Sequence, residues 1–299
     1  MGKYFVVSHS RCDDGSASVA VVKRFKPDAI VVMTGYDDYW KQTEFVSGDY
    51  ILFTDICPKM SDLWDLHERG VEFQVLDHHI SSMNALDEYR KIEPDKYFII
   101  NQSIGIDQSG KCGATMTWDW FARGNSELQT LRPLALRYIE IADTWAWEKD
   151  ENAKYITQYI RVITKQGEWK DMAKILEFFD YQKALDAGKI LMQRLEQDVQ
   201  AICKKSHYLY IDGIKVLSVN SGHDLSTSEV GHELSERAEN GVGLVYNIAY
   251  DEVKISVRGK AGTTIAREIA QKLGGGGHNE ASGARQTIPE FMKLFNKPA

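Results

Sequence analysis

Acidic and histidine residues cluster at four places in this 299-residue chain, and three of the clusters follow short apolar runs. These three are "SHSRCDDG" (8–15), "TDICP" (54–58) and "LDHHIS" (76–81). The fourth, "YIEIADTWAW" (138–147), places Asp143 near the end of a predicted helix. Aspartate and histidine side chains together are typical ligands of catalytic divalent metal ions, so these clusters indicate metal chemistry.

Each cluster alone has an ordinary structural explanation. Asp14–Gly15 fits a turn with a helix cap, Asp55 fits the end of a strand, and His78 and His79 could be satisfied polar residues. If the clusters follow strands of one sheet, however, they converge, and converging carboxylates repel one another unless cations lie between them. Without a paired-cysteine motif, the donors suit Mn²⁺ or Mg²⁺ better than a structural zinc. Two such ions roughly 3.5–4 Å apart would activate water for phosphoryl transfer.

The elements that must position these clusters are predicted from the apolar runs. Buried strands are predicted at 4–9, 29–34, 50–55, 71–77 and 97–101, because each run is continuous in Val, Ile or Phe. Helices are predicted between them, at 15–26 and 60–69. Alternating strands and helices predict an α/β fold with a mostly parallel sheet, whose ligands gather at the carboxyl ends of the strands.

The remainder of the chain predicts a helical region and then a second, smaller α/β domain. Residues 112–205 contain few helix breakers, and 180–206 has the amphipathic period of one long connecting helix. The second domain is predicted to contain strands at 208–211, 214–220, 242–250 and 252–259, helices at 226–238 and 262–272, and a loop at 274–278. The predicted division is therefore 1–180, a linker helix at 181–206, and 207–299.

Composition narrows the class of protein. No apolar run approaches the roughly 18 residues that span a bilayer, and the first ten residues lack the features of a signal peptide. Four widely spaced cysteines favour a reducing cytoplasm over a disulfide framework. A net charge of −7 argues against long duplex nucleic acid as a partner but allows a small phosphorylated substrate. A homodimer is compatible with all of these features.

The order of the motifs resembles that of the DHH phosphoesterase superfamily. The resemblance rests on "H-x-x-C-x-D-G" from His9, "TD" at Asp55, "DHH" at 77–79, "IADTW" around Asp143 and "GGGGHNEASG" at 274–283. It covers nearly the whole chain and implies a metal-binding DHH domain joined by a linker helix to a smaller substrate-binding domain, with the active site between them. Members include exopolyphosphatases, oligoribonucleases and cyclic-dinucleotide phosphodiesterases.

The resemblance also implies roles for individual residues. Asp55 would bridge two metal ions, with His9 on one ion and Asp14, His78 and Asp143 on the other. His79 would face the phosphate or the attacking water, and Asp77 would orient a neighbouring imidazole. Manganese is the expected metal, with Mg²⁺, Co²⁺, Zn²⁺ or Fe²⁺ as alternatives.

Cys12 departs from the family pattern, because many members have an acid at this position. Three interpretations stay open at this point. Cys12 could be a thiolate ligand that favours a softer metal, Asp13 could take its place, or this metal site could be weak and filled only together with substrate.

For the second domain, the resemblance implies that Arg258 and His278 hold a phosphate or a nucleotide terminus. The glycines at 275, 276 and 277 (Gly275, Gly276 and Gly277) would let backbone N–H groups approach an anion. We expect hydrolysis of short oligonucleotides (nanoRNA) or dinucleotides to nucleoside monophosphates. The alternatives are an exopolyphosphatase and an inactive nucleotide-binding sensor.

No functional role is assigned to the aromatic residues. Trp118, Trp120, Trp145 and Trp147 are expected to pack in the helical core, which is the commoner fate of large aromatic side chains.

Overall fold

Strands and helices alternate along the first part of the chain, as the apolar runs predict. The computed structural model describes residues 2–35, 39–165, 167–222 and 227–296. The first elements are β1 Tyr4–His9, α1 Asp13–Phe25, β2 Ile30–Thr34, β3 Tyr50–Thr54, α2 Met60–Glu68, β4 Glu72–Asp77, α3 Ile80–Ile92, α4 Pro94–Asn101 and β5 Ile104–Ile106.

These five strands form one parallel sheet in the order β2-β1-β3-β4-β5. Both faces are buried: Val6 and Leu52 pack on one side, whereas Val7, Phe53 and Val75 pack on the other. The order places β1, β3 and β4 side by side, so their carboxyl ends lie along one stretch of the sheet edge.

The prediction of a strand at 97–101 is wrong, because these residues belong to helix α4. Pro94 occupies the first turn of this helix, where its fixed φ favours helix initiation. Of the apolar run, Ile100 is buried, but Phe98 remains 68% exposed. The fifth strand is instead the three-residue β5. A short apolar run does not distinguish a buried strand from a helix that is anchored at one position.

The following region is helical, as predicted. It comprises α5 Gly113–Ala122, α6 Ser126–Thr130, α7 Leu134–Asp143, α8 Ala153–Ile163, α9 Trp169–Glu177 and α10 Tyr181–Cys203. These helices and one side of α1 enclose a core that includes the fully buried side chains of Trp118, Leu136, Tyr138 and Ile156.

The last part of the chain forms a six-stranded mixed sheet with its own core. Its elements are β6 His207–Ile211, β7 Ile214–Asn220, α11 Thr227–Arg237, β8 Val242–Ala249, β9 Glu252–Gly259, α12 Ile265–Lys272, β10 Gly276–Gly277, β11 Ala281–Thr287 and α13 Ile288–Met292. The strand order is β10-β11-β9-β8-β7-β6, in which β7 and β8 are parallel and the other pairs are antiparallel.

The predicted strands of this second sheet are confirmed, whereas β10 and β11 escaped prediction. Their composition is rich in Gly, Ser and polar residues, which lack the apolar pattern that marks a strand. The predicted helix at 226–238 is confirmed as α11, although Ser226 lies outside the described residues.

The chain divides into two compact units, Met1–Leu191 and Met192–Ala299. The division falls within α10, so one helix contributes to both units. Among the residues that the structure describes, no helix has the length and apolar character to cross a membrane.

Candidate metal site

Three neighbouring strand ends supply the centre of the site. β1 ends at His9, Asp55 follows β3 directly, and β4 ends at Asp77, which is followed by His78 and His79. The chain leaves β1 for β2 on one side and returns to β3 on the other. The strand order therefore reverses between β1 and β3, where ligands bind in open α/β sheets.

A fourth component, Asp14, comes from the first turn of α1 and is almost fully buried. Its two carboxylate oxygens each accept a hydrogen bond of 2.7 Å, one from the Gly113 N–H and one from the Ala114 N–H. These N–H groups begin helix α5, whose amino terminus favours negative charge. The anion at this helix terminus is thus a side chain of the protein itself.

Gly113 is required by the close approach of α5 to the site. A Cβ at this position would lie 2.8 Å from the Asp55 Cβ and 2.9 Å from the Asp14 Oδ2. Gly113 lies in the region 112–205, which was predicted to be helical and to which no site residue other than Asp143 was assigned. The signal that it belongs to the site is a contact across 99 residues of chain, which local patterns do not contain.

His78 brings three carboxylates together around one ring nitrogen. Its Nε2 lies 3.2 Å from the Asp143 Oδ2, 3.3 Å from the Asp55 Oδ1 and 3.6 Å from the Asp14 Oδ2. Asp143 is the last residue of α7, where sequence analysis predicted it. The four predicted ligands Asp14, Asp55, His78 and Asp143 therefore meet in one place.

Within the described residues, the buried Asp55 Oδ2 has no hydrogen-bonding partner. The Asp143 Oδ2 is also buried, and its neighbour in the site is the His78 Nε2 at 3.2 Å. Burial, followed by the charges of Asp14 and Asp143, raises the pKa of Asp55 well above its ordinary value. Burial and the charge of Asp14 also raise the pKa of Asp143 to about 7. Buried, unpartnered carboxylates are costly unless a cation compensates them, so the site fits positively charged ligands.

The backbone of Asp55 is itself unusual, with a φ of +57°. This left-handed conformation is uncommon for residues other than glycine, although Asp tolerates it better than most. It is maintained here by a hydrogen bond of 3.0 Å from the Asp55 N–H to the Leu76 carbonyl. Such local strain is found at functional sites more often than elsewhere.

A second set of contacts orients His79. Its Nδ1 lies 2.7 Å from the Asp77 Oδ1, while Ser82 donates a hydrogen bond to the other Asp77 oxygen. Burial alone would raise the pKa of Asp77, but the hydrogen bonds from His79, Ser82 and the His78 N–H lower it. The bond to Asp77 raises the pKa of His79 despite burial, so the imidazolium form is favoured.

His9, Cys12 and Asp55 form another group whose potential ligand atoms lie within 4.8 Å of one another. Burial lowers the pKa of His9, which favours the neutral imidazole that metals require. Burial and the charges of Asp55 and Asp14 raise the pKa of Cys12, so its thiol stays protonated unless a cation binds.

The Asp13 carboxylate points to other partners. It lies 3.6 Å from the Arg161 Nε and 3.5 Å from the Thr164 Oγ1. Among the described residues, it is therefore Cys12 that joins the group around His9 and Asp55.

The donor chemistry of these groups fits divalent metal ions. One group combines His9, Cys12 and Asp55, and a second combines Asp14, His78 and Asp143, each with ligand atoms within 4.8 Å of one another. Mixed oxygen, nitrogen and sulfur donors suit first-row ions such as Mn²⁺, Fe²⁺, Co²⁺ or Zn²⁺ better than Ca²⁺.

The residues predicted to bind substrate lie in the second unit. Arg258, on β9, is half-buried, and its guanidinium donates hydrogen bonds to the Ser228 Oγ at 3.0 Å and the Ser256 Oγ at 2.9 Å. Gly231 of α11 leaves room for it, since a Cβ there would lie 2.8 Å from the Arg258 Cγ. These contacts hold the guanidinium through two serine hydroxyls, and the charge of Glu229 also acts on it. The planar guanidinium is suited to bidentate binding of an anion.

The glycine-rich segment is a tight hairpin, not an open loop. Gly276 and Gly277 pair with β11, and the His278 N–H donates to the Ala281 carbonyl at 2.9 Å. A Cβ on Gly275 would lie 2.1 Å from the Gly283 carbonyl oxygen, so close backbone packing requires this glycine. The His278 side chain is exposed.

One prediction about the tryptophans is wrong. Trp118 is fully buried in the helical core and Trp147 packs against it, as expected. Trp145, in contrast, is 70% exposed, although it lies only two residues after Asp143.

Comparisons with known proteins place this geometry in context. No protein-family model matches the sequence. The chain is 25% identical over 300 residues to the uncharacterized protein R106 of Acanthamoeba polyphaga mimivirus, and the match covers 93% of this chain but only 66% of the viral protein. This relative is thus substantially longer than the match.

Among solved structures, the pGpG-specific phosphodiesterase PggH from Vibrio cholerae aligns over 98% of this chain and 96% of its own, with a TM-score of 0.55 and 13% identity. The chain shares the fold of this phosphodiesterase, with a parallel five-stranded sheet and a second, mixed sheet. An exopolyphosphatase-related protein from Bacteroides fragilis also aligns, but its TM-score of 0.41 is too low to support an argument. At these identities, the likeness to PggH shows the fold alone.

Proposed function

We propose that this protein is a divalent-metal-dependent phosphodiesterase of the DHH superfamily, which hydrolyses dinucleotides or short oligonucleotides to nucleoside monophosphates. The observation that carries the proposal is the convergence of four aspartates and three imidazoles at one sheet edge, where the buried Asp55 Oδ2 has no hydrogen-bonding partner among the described residues. Such a charge arrangement is costly for folding alone, and it suits ions that bind phosphate. The fold shared with a pGpG-specific phosphodiesterase supports the same reaction class.

In this proposal, the two groups of donors hold two ions. His9, Cys12 and Asp55 would hold one, and Asp14, His78 and Asp143 would hold the other. The Asp55 Oδ1 lies 3.3 Å from the His78 Nε2, so Asp55 lies beside both groups. When bound, the ions would supply an activated water and positive charge opposite the phosphoryl oxygens. The α5 N–H groups fix the Asp14 carboxylate and thereby orient its remaining lone pairs.

His79 is proposed to act directly on the phosphate. Asp77 holds its Nδ1 and favours the imidazolium, so the Nε2–H can donate to a phosphoryl oxygen or to the leaving group. Asp77 is buried and held by Ser82, and it therefore acts as a positioning residue for this imidazole.

The second unit is proposed to bind the substrate through Arg258, the backbone of Gly275–Gly277 and His278. A guanidinium held by two serine hydroxyls presents further N–H donors to a phosphate. The overall acidity of the chain, −7, agrees with a short substrate that is held by a few positive groups.

The test is hydrolysis by metal-stripped protein to which Mn²⁺ is added back. We expect pGpG or pApA to give nucleoside monophosphates, detected by ion-exchange chromatography, and Asp55→Asn to lower the rate by at least about 10²-fold through loss of metal ligation. Asp87→Asn, an exposed acid on α3, is the matched control and should retain the wild-type rate.

Two outcomes would replace this proposal. Hydrolysis of inorganic polyphosphate without hydrolysis of any dinucleotide would indicate an exopolyphosphatase. Nucleotide binding with no product at any metal concentration would indicate a sensor that has lost turnover.

A further inference from the structure

Trp145 occupies a backbone position that normally belongs to glycine. It follows Thr144, the C-cap of α7, and its φ is +57°. The Ala146 N–H donates to the Ile141 carbonyl at 3.0 Å, and the Trp145 N–H to the Ala142 carbonyl at 3.4 Å. These two bonds define a Schellman motif, whose left-handed residue is usually Gly or Asn because a Cβ is disfavoured there.

The side chain of Trp145 is also placed unfavourably for folding. It is 70% exposed, so most of a large apolar surface stays in water. Its ring contacts the Trp147 ring edge-on, with centroids 6.1 Å apart and planes at 86°. Trp147, which is partly buried, in turn packs on the helical core, so the exposed ring is connected to that core.

The position of Trp145 in the chain connects it to the candidate site. Only one residue separates it from Asp143, so their Cα atoms lie at most about 7 Å apart. A ligand with phosphate at the acidic cluster and a planar group a few ångströms away can therefore reach this ring. An aromatic face binds any nucleobase by stacking, without selecting its sequence.

We infer that Trp145 is a stacking platform for a nucleobase of the substrate. This inference rests on the proposed function and makes it more specific, because an inorganic polyphosphate has no planar group to place on the ring. It explains why the chain has tryptophan where glycine would serve the helix end better.

Binding measurements with two matched probes test the inference. GMP and ribose 5-phosphate share the phosphate and the sugar, but only GMP has a base. In excess Mn²⁺, isothermal titration calorimetry should show that Trp145→Gly raises the Kd for GMP by about tenfold, as expected for the loss of one stacked base. The Kd for ribose 5-phosphate should not change, and Trp145→Phe should stay within about threefold of wild type for both probes.

The controls separate stacking from folding. Trp145→Gly should keep or raise the melting temperature, since glycine suits the left-handed position. Tyr250→Gly is the matched surface control, because Tyr250 is fully exposed with a φ of +58° in the turn between β8 and β9, at the end of β9 away from Arg258. It should leave both Kd values unchanged.

Equal GMP affinity in wild type and Trp145→Gly would overturn the inference. An equal loss for both probes would also overturn it. If GMP binding depends on Trp145 but pGpG is not hydrolysed, the inference stands and the proposed function fails. If wild type and Trp145→Gly hydrolyse pGpG equally well, the proposed function stands and the inference fails.

Discussion

At the scale of single residues, the site is defined by charges that the protein does not neutralise by itself. Asp143 illustrates this, because burial and the neighbouring Asp14 raise its pKa to about 7. An acid whose pKa is raised on folding binds its proton more tightly in the folded state. Its stabilising contribution is therefore complete below about pH 4, the ordinary value, and is lost as the pH rises through 7.

This loss of stability with rising pH gives a prediction for the metal-free protein. In chelator, the melting temperature of the wild type should fall between pH 4 and pH 7 more steeply than that of Asp143→Asn, which mimics the protonated acid. At pH 8 the variant should be the more stable of the two. Calorimetric scans of both proteins across this range check the prediction, and parallel pH curves would contradict it.

Cys12 yields a second prediction at this scale. If its sulfur occupies a ligand position beside His9 and Asp55, Cys12→Asp should keep or raise the Mn²⁺-dependent rate, because Mn²⁺ prefers oxygen donors. Cys12→Ala, which supplies no donor, should lower the apparent Mn²⁺ affinity by about tenfold or more. Initial rates measured as a function of Mn²⁺ concentration distinguish the three proteins. Identical curves for Cys12→Ala and wild type would show that Cys12 is not a metal ligand.

At the scale of elements, the strands that carry the site, β1, β3 and β4, were predictable, whereas the contact of α5 with the site was not. The continuous apolar runs that became β1, β3 and β4 predicted buried strands, and the polar residues after them predicted convergence at one sheet edge. Helix α5 reaches Asp14 through backbone N–H groups of Gly113 and Ala114, which any sequence possesses. Side-chain patterns therefore carry no signal for this contact.

The left-handed conformations of Asp55 and Trp145 could not be predicted from the sequence either. Both residue types are common outside this conformation, and only the turns imposed by the surrounding strands and helix produce it. The site residues could thus be predicted from their types and order, whereas the left-handed backbone of Asp55 and its buried Oδ2 without a hydrogen bond among the described residues required coordinates.

The role of α5 in positioning the ligands can be tested by adding one methyl group at Gly113. Gly113→Ala should displace the amino terminus of α5 from Asp14 and Asp55, because a Cβ there would lie 2.8 Å from the Asp55 Cβ. We expect a loss of about 1–3 kcal/mol in the free energy of unfolding and a weaker affinity for Mn²⁺. Gly222→Ala is the matched control, since no atom of the described residues lies within 4 Å of its added Cβ.

Denaturant unfolding and Mn²⁺ titration of both glycine variants would check this expectation. If Gly113→Ala binds Mn²⁺ as tightly as Gly222→Ala does, then α5 does not position the ligands.

At the scale of the whole molecule, the chain combines a parallel sheet that gathers acids with a second unit that carries Arg258 and a glycine-rich hairpin. The first unit concentrates negative charge at the place where, in the proposed function, an anionic substrate would react, and such a substrate requires bound cations there. The metal ions are therefore the component on which the account depends, and their binding should also raise the melting temperature by mass action.

The most direct measurement is the number of Mn²⁺ ions that the metal-stripped protein binds, determined by calorimetric titration with Asp55→Ala in parallel. The account predicts two ions per wild-type chain and a clear loss of stoichiometry or affinity in the variant, because Asp55 lies at the junction of both ligand groups. Wild-type protein that binds no Mn²⁺, or a variant that binds it as the wild type does, would contradict the account.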